Sequence, residues 1–133
     1  MLFQTITLIN AQTIDAAGDL TAEYTLASGE AKVLAQAIAR GNATIRSFCA
    51  SAKTGSPVVT LDSIKWSIDG TNFANLHNFT DVDITPTGEH VVGQITTKTF
   101  PSTATKLLLG VTVTTLDTSN KLNGYTCSID CVF

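Results

Sequence analysis

Charge is what this chain has least of. Only 14% of its 133 residues are Asp, Glu, Lys or Arg, and the formal net charge is −3. The eight basic residues stand scattered along the sequence rather than in a patch. Nucleic-acid binding needs clustered cations to neutralise phosphates, so no nucleic-acid partner is expected. Long apolar runs are missing as well. No stretch approaches the ~20 residues that span a bilayer as a helix, and no membrane partner is expected. The opening MLFQTITLINAQTI has no basic residue and no sustained apolar segment, unlike a secretory signal. Synthesis and folding in a cytoplasm are the expectation.

Cysteine is scarce and odd in number, three in all, which argues against a disulfide framework. Cys127 and Cys131 share a face of an alternating segment, yet lie about 13 Å apart along a strand. That is too far to bridge unless the strand bends. With Tyr125, Ile129 and Phe133 they form one apolar face, which predicts buried free thiols. No C-x-x-C or Cys/His cluster suggests zinc. The two histidines, His77 and His90, sit in polar, turn-like surroundings with no G-x-S-x-G or comparable nucleophile setting. An enzyme is not expected. Asp81 and Asp83 share a face and could join Glu89 around a cation, but a lone D-V-D lacks the further oxygen ligands and pinned loop of a calcium site. Neither metal nor other cofactor is expected.

What the chain has in abundance is alternation. Leu107, Leu109, Val111 and Val113 face one way, and Gly110, Thr112 and Thr114 the other. Tyr125 to Phe133 repeats the pattern, as do Ile6 and Leu8 against Thr5 and Thr7. Threonine suits a pleated, half-exposed surface, and chance in a Thr- and Asn-rich chain accounts for the N-x-T triplets at Asn42 and Asn78. Turn signals recur at short intervals, among them Ser28-Gly29, Arg40-Gly41-Asn42, Asp69-Gly70, Phe100-Pro101 and Asn123-Gly124. Together they predict an all-β fold: an antiparallel, jelly-roll-like β-sandwich of about eight or nine short strands. It is read as one domain over residues 1–133. Residues 30–40, EAKVLAQAIAR, have helical spacing at Leu34 and Ile38 but also fit a central strand, apolar on both faces. The strand reading is preferred, with Gly41-Asn42 as the tight turn into ATIRSFCAS. The first ten residues read as an edge strand or as an arm pairing with a neighbour. Leu2, Phe3, Ile6 and Leu8 need an apolar partner there, inside this fold or in another subunit, and are the candidate capsid or subunit contacts.

The only tryptophan lies in KWSIDGTNF, residues 65–73. Ile64 and Ile68 flank Trp66 at minus and plus two, which predicts an inward, core position for all three. Asp69-Gly70 ends the strand, and Phe73 and Phe79 are expected to close over the same core. A glycan platform would need two or three exposed aromatics with polar support. Tyr24 alone remains as an exposed candidate.

The stretch is one residue too tight for the S-x-D-x-G-x-x-W box of sialidases. It resembles instead a pattern of small tailed-phage virion modules, S-x-D-G-x-N-F/W followed by a hydrophobic strand, a glycine turn, an F-P step and a long alternating strand. Ser67 to Phe73, Thr87-Gly88, Phe100-Pro101 and Thr105 to Thr114 supply these in order, so the resemblance covers roughly residues 58–115. It implies a virion structural protein, foremost a capsid decoration protein that binds the major capsid protein or another virion protein as a homo-oligomer, with a trimer expected. The alternatives are a phage tail accessory protein and a carbohydrate- or receptor-binding module.

Overall fold

The computed structural model describes residues 3–14, 20–49, 55, 58–83, 88–95, 100–115 and 121–132. Among them run β1 (Phe3–Ile14), β2 (Leu20–Thr25), α1 (Glu30–Ala39), β3 (Ala43–Cys49) and β4 (Val58–Ser67). Then follow β5 (Ala74–Asp83), β6 (Gly88–Gln94), β7 (Lys106–Thr115) and β8 (Leu122–Val132). Four antiparallel pairs are nested within one another: β1 with β8, β2 with β7, β3 with β6, and β4 with β5. The nested ladder folds over so that β8 also pairs with β3, and β7 with β4. Two four-stranded sheets result, ordered β1-β8-β3-β6 and β2-β7-β4-β5. An eight-stranded, two-sheet antiparallel roll of this kind is a jelly roll. The alternation predicted it.

The core lies between the sheets. Ile6, Ile45, Tyr125, Cys127, Ile129 and Cys131 enter it from the first sheet, all fully buried. Leu61, Ile64, Leu76, Leu107, Leu109 and Val111 meet them from the second. Free thiols at Cys127 and Cys131 are buried as the shared face implied. Bulges reset the phase where strict alternation would fail. An extra β1 residue between Thr7 and Ile9 lets both Leu8 and Ile9 point inward, 7% and 3% exposed. In β4 the bulge at Asp62 carries the buried phase from Leu61 to Ile64. Asn123-Gly124 is also a bulge, not a turn. It lies inside β8, where Gly124 takes φ 62° and two residues, Asn123 and Gly124, oppose the single Thr13 of β1.

Residues 30–40 are not a strand. Glu30–Ala39 is α1, with Ala31, Leu34, Ala37 and Ile38 buried along one face. Alanine, leucine, glutamine and lysine all favour helix, and β8, β3, β7 and β4 already fill the central positions of both sheets. Arg40-Gly41-Asn42 is the helix stop. Gly41, at φ 70°, donates to the Ile38 carbonyl at 3.0 Å, and Asn42 N–H donates to the Ala37 carbonyl at 2.8 Å. That double bond pattern is a Schellman motif, which needs a left-handed residue. At the other end the Glu30 carboxylate accepts from Ala27 N–H at 2.6 Å and from the Tyr24 hydroxyl at 2.8 Å. The helix thus carries the chain from β2 in one sheet to β3 in the other, packing on β8 and β3.

Candidate functional site

At the end of β4 the sequence Ser67-Ile68-Asp69-Gly70-Thr71-Asn72 folds into a loop that satisfies itself. The buried Ser67 hydroxyl accepts from Gly70 N–H at 2.8 Å and donates to Asp69 Oδ1 at 3.0 Å. Asp69 Oδ1 also accepts the Thr71 and Asn72 N–H groups, both at 2.8 Å, while Oδ2 takes Asn72 Nδ2 at 2.7 Å. These donors, Asn72 N–H foremost, hold the Asp69 carboxyl well below the usual carboxylate range. Gly70 takes φ 80°, and a Cβ there would stand 3.5 Å from the Lys106 side chain. Thr105 clamps the loop from outside, its N–H on the Ser67 carbonyl at 2.8 Å and its hydroxyl on that of Ile68 at 2.9 Å. Serine, aspartate, glycine and asparagine at this spacing make a rigid turn.

The turn changes what becomes of Trp66. Ile64 is fully buried, as alternation requires, but Trp66 is only half-buried and Ile68 is 49% exposed. The inward reading therefore fails for Ile68 and holds in part for Trp66. The cause is where the sheet ends: Lys106, the first residue of β7, pairs with Ser67, so Ile68 lies beyond its last strand neighbour. Trp66 meets Phe100 edge-on inside, with ring centroids 6.4 Å apart. Its outer side, with Ile68, Asp69, Asn72, Phe73 and Ala74, lines an open groove of about 370 Å³. The walls are mostly apolar. The polar groups at its rim, Asp69 and Asn72, are bonded to each other.

Of the contacts expected near the N-terminus, Ile6 and Leu8 are buried in the chain's own core, while Phe3 is 64% exposed. Leu2 lies outside the described residues. Phe3 and Ile68 are the exposed large hydrophobic residues among those described. Phe73 and Phe79 are both half-buried, Phe79 packed against the core and Phe73 in the groove. Tyr24 is not an exposed platform: it is half-buried, and burial together with its bond to Glu30 raises its phenol to about 12. The histidines are not in turns. His77 lies in β5, half-buried against Phe79 at a 4.8 Å ring separation, and burial lowers its pKa. His90 lies in β6 opposite Ser47. The side chains of Asp81, Asp83, Glu89 and His90 are outside the described set. Among the described residues no three His, Cys, Asp or Glu side chains gather as metal ligands.

Two other features bear chemistry. On the outer face of the second sheet, the Asp62 bulge and the missing side chain of Gly110 leave a pit of about 160 Å³, lined also by Thr21, Ser63 and Lys65. It is too small for a drug-sized ligand. On the outer face of the first sheet, Asp130 accepts from Thr5 Oγ1 at 2.8 Å and pairs with Arg46, tying β1, β8 and β3 together. That cluster is a strut across strands. No family model, curated protein or solved structure matches the chain.

Proposed function

We propose that this jelly roll is a non-enzymatic virion structural protein, a capsid decoration protein that binds the major capsid protein lattice as an oligomer. The observation that carries this reading is the Trp66–Ile68–Phe73 groove. A turn pinned by its own hydrogen bonds holds an exposed isoleucine beside two half-buried aromatics, in a cleft whose rim polar groups are already paired. Such a surface accepts apolar protein side chains, and a pre-ordered loop loses little entropy on docking. The motif that builds the turn is the one by which the chain resembles phage virion modules. A surface with few charges suits repeated contact with other proteins, and many weak contacts on a lattice add to strong attachment. The test is sedimentation of purified protein with expanded heads of the phage that encodes it. Saturable co-sedimentation is expected. Folded protein left in the supernatant at every ratio of protein to heads overturns the reading.

A carbohydrate- or receptor-binding module is the second reading, and the half-exposed Trp66 favours it. Sugar recognition couples an aromatic face to free polar groups, whereas Asp69 Oδ1 already accepts three hydrogen bonds. With one tryptophan in the chain, emission reports on this groove alone. A saturable, sugar-dependent shift in Trp66 emission would reverse the order of the two readings.

A further inference from the structure

Gly110 stands in the middle of β7, a central strand, where glycine weakens a sheet and offers no side chain to pack. Nothing within the chain demands it. Its φ lies outside the left-handed region, so the backbone does not require glycine. A Cβ there would stand 3.5 Å from Asp62 Cβ and from Ser63 Oγ, which is ordinary van der Waals contact. The bulge opposite is therefore no reason for the missing side chain. What the glycine does is leave bare the floor of the outer-face pit.

The walls of that pit are chemically mixed. Gly110 pairs with Thr21 on one side and with Ser63 on the other, and both line the pit. The bulge sets Asp62 beside Ser63, where strict alternation would put only one of them on this face. One row along, Leu108 pairs with Lys65, adding an apolar wall and an ammonium group. Among the described residues, no side-chain bond engages Thr21, Ser63 or Lys65. The rim groups of the Trp66 groove are bonded to each other, whereas these three are open.

Carboxylate and ammonium together decide the class of ligand. An anion meets Asp62 and a cation meets Lys65, so a simple ion of either sign is disfavoured. A neutral polyol suits both, since its hydroxyls donate to a carboxylate and accept from an ammonium. Leu108 stands where an aromatic face usually supports the C–H side of a sugar ring. At about 160 Å³ the pit is on the scale of one ring rather than of a drug-sized ligand. We infer that the pit is a monosaccharide subsite, separate from the groove that carries the proposed docking.

The test is an amide NMR titration of the protein with the methyl glycosides of glucose, galactose, mannose and N-acetylglucosamine. At least one is expected to shift the amides of Thr21, Ser63, Lys65 and Gly110. The shifts should saturate at millimolar concentration, as binding of one shallowly held ring does. Free glycine, a zwitterion without hydroxyls, should leave the same amides unmoved. Gly110→Ala should abolish the shifts while the midpoint of urea unfolding stays or rises, because the new methyl fills the floor and restricts the unfolded chain. Lys65→Ala, at an exposed position, should weaken the binding severalfold. No shift with any glycoside, equal shifts with free glycine, or shifts clustered at Trp66 and Phe73 would each overturn the inference. So would shifts that survive both substitutions, or a Gly110→Ala protein less stable than wild type.

Discussion

Tyr125 and Ser47 sit opposite the second sheet on β8 and β3, each fully buried, their hydroxyl oxygens 2.8 Å apart. Replacing Tyr125 with Phe keeps the ring's apolar contacts and strands the Ser47 hydroxyl in a dry core. A buried group left without its partner costs about 1–3 kcal/mol. Replacing Ser47 with Ala is milder, because Tyr125 also hydrogen-bonds the Cys127 thiol and keeps that partner. About 0.5–1.5 kcal/mol is expected, the net worth of one neutral hydrogen bond. The double variant has no stranded serine, so it should be no less stable than Tyr125→Phe alone. The coupling between the two sites is then about 1 kcal/mol. Urea unfolding of the four proteins measures this, since a domain below about 150 residues unfolds in one cooperative step. Equal costs for the two single variants, adding fully in the double, would refute the paired-hydroxyl reasoning.

Other outcomes follow from the same structure. Leu34→Ala, at a fully buried position on α1, should cost about 2–5 kcal/mol by calorimetry; a cost below about 1 kcal/mol contradicts a core-facing helix. His77, with its pKa lowered by burial from an ordinary 6.5, favours the fold in its neutral form. Its contribution is complete above pH 6.5 and is lost as pH falls below it, so His77→Gln should flatten the stability profile on the acid side. An imidazole NMR titration at or above 6.5 would contradict this. Tyr24, raised from 10.0 to about 12 first by burial and then by Glu30, should ionise late in a spectrophotometric titration. Stability linked to its neutral form is full below pH 10 and declines as the pH rises toward 12. Cys127 and Cys131, their thiols pushed up to about 11 chiefly by burial, should resist iodoacetamide until the protein unfolds. Mass spectrometry showing rapid labelling of either in the native state would contradict that.

Much of the sandwich could be read from the residues, because a half-buried strand writes its two faces into the sequence at period two. Leu107, Leu109 and Val111, and Tyr125 through Cys131, point where their alternation says. Nested pairing was less legible, since β1 with β8 joins residues more than a hundred positions apart. The misreadings share a physical cause. Left-handed glycines close several kinds of structure, so Gly41 reads equally as a hairpin turn or a Schellman stop, and Gly124 as a turn or a bulge. Leu34 and Ile38 carried the helical spacing that settles the first case. For the groove, the pattern Ile64, Trp66, Ile68 continues one step past the point where β7 ends beside Ser67. Alternation tells which face a residue takes, not where the opposing layer stops covering it. Ser-x-Asp-Gly-x-Asn marked the turn correctly, but only the three-dimensional boundary of the sheet shows that this turn lifts Ile68 out of the core.

The claim at the centre of this account is that the jelly roll is built to dock on a protein lattice. Electron cryomicroscopy of expanded heads incubated with the purified protein tests it most directly. The account predicts jelly-roll density at regular lattice positions, with the Trp66–Ile68–Phe73 groove against the capsid protein. Bare heads beside a fully folded, unbound protein would contradict it.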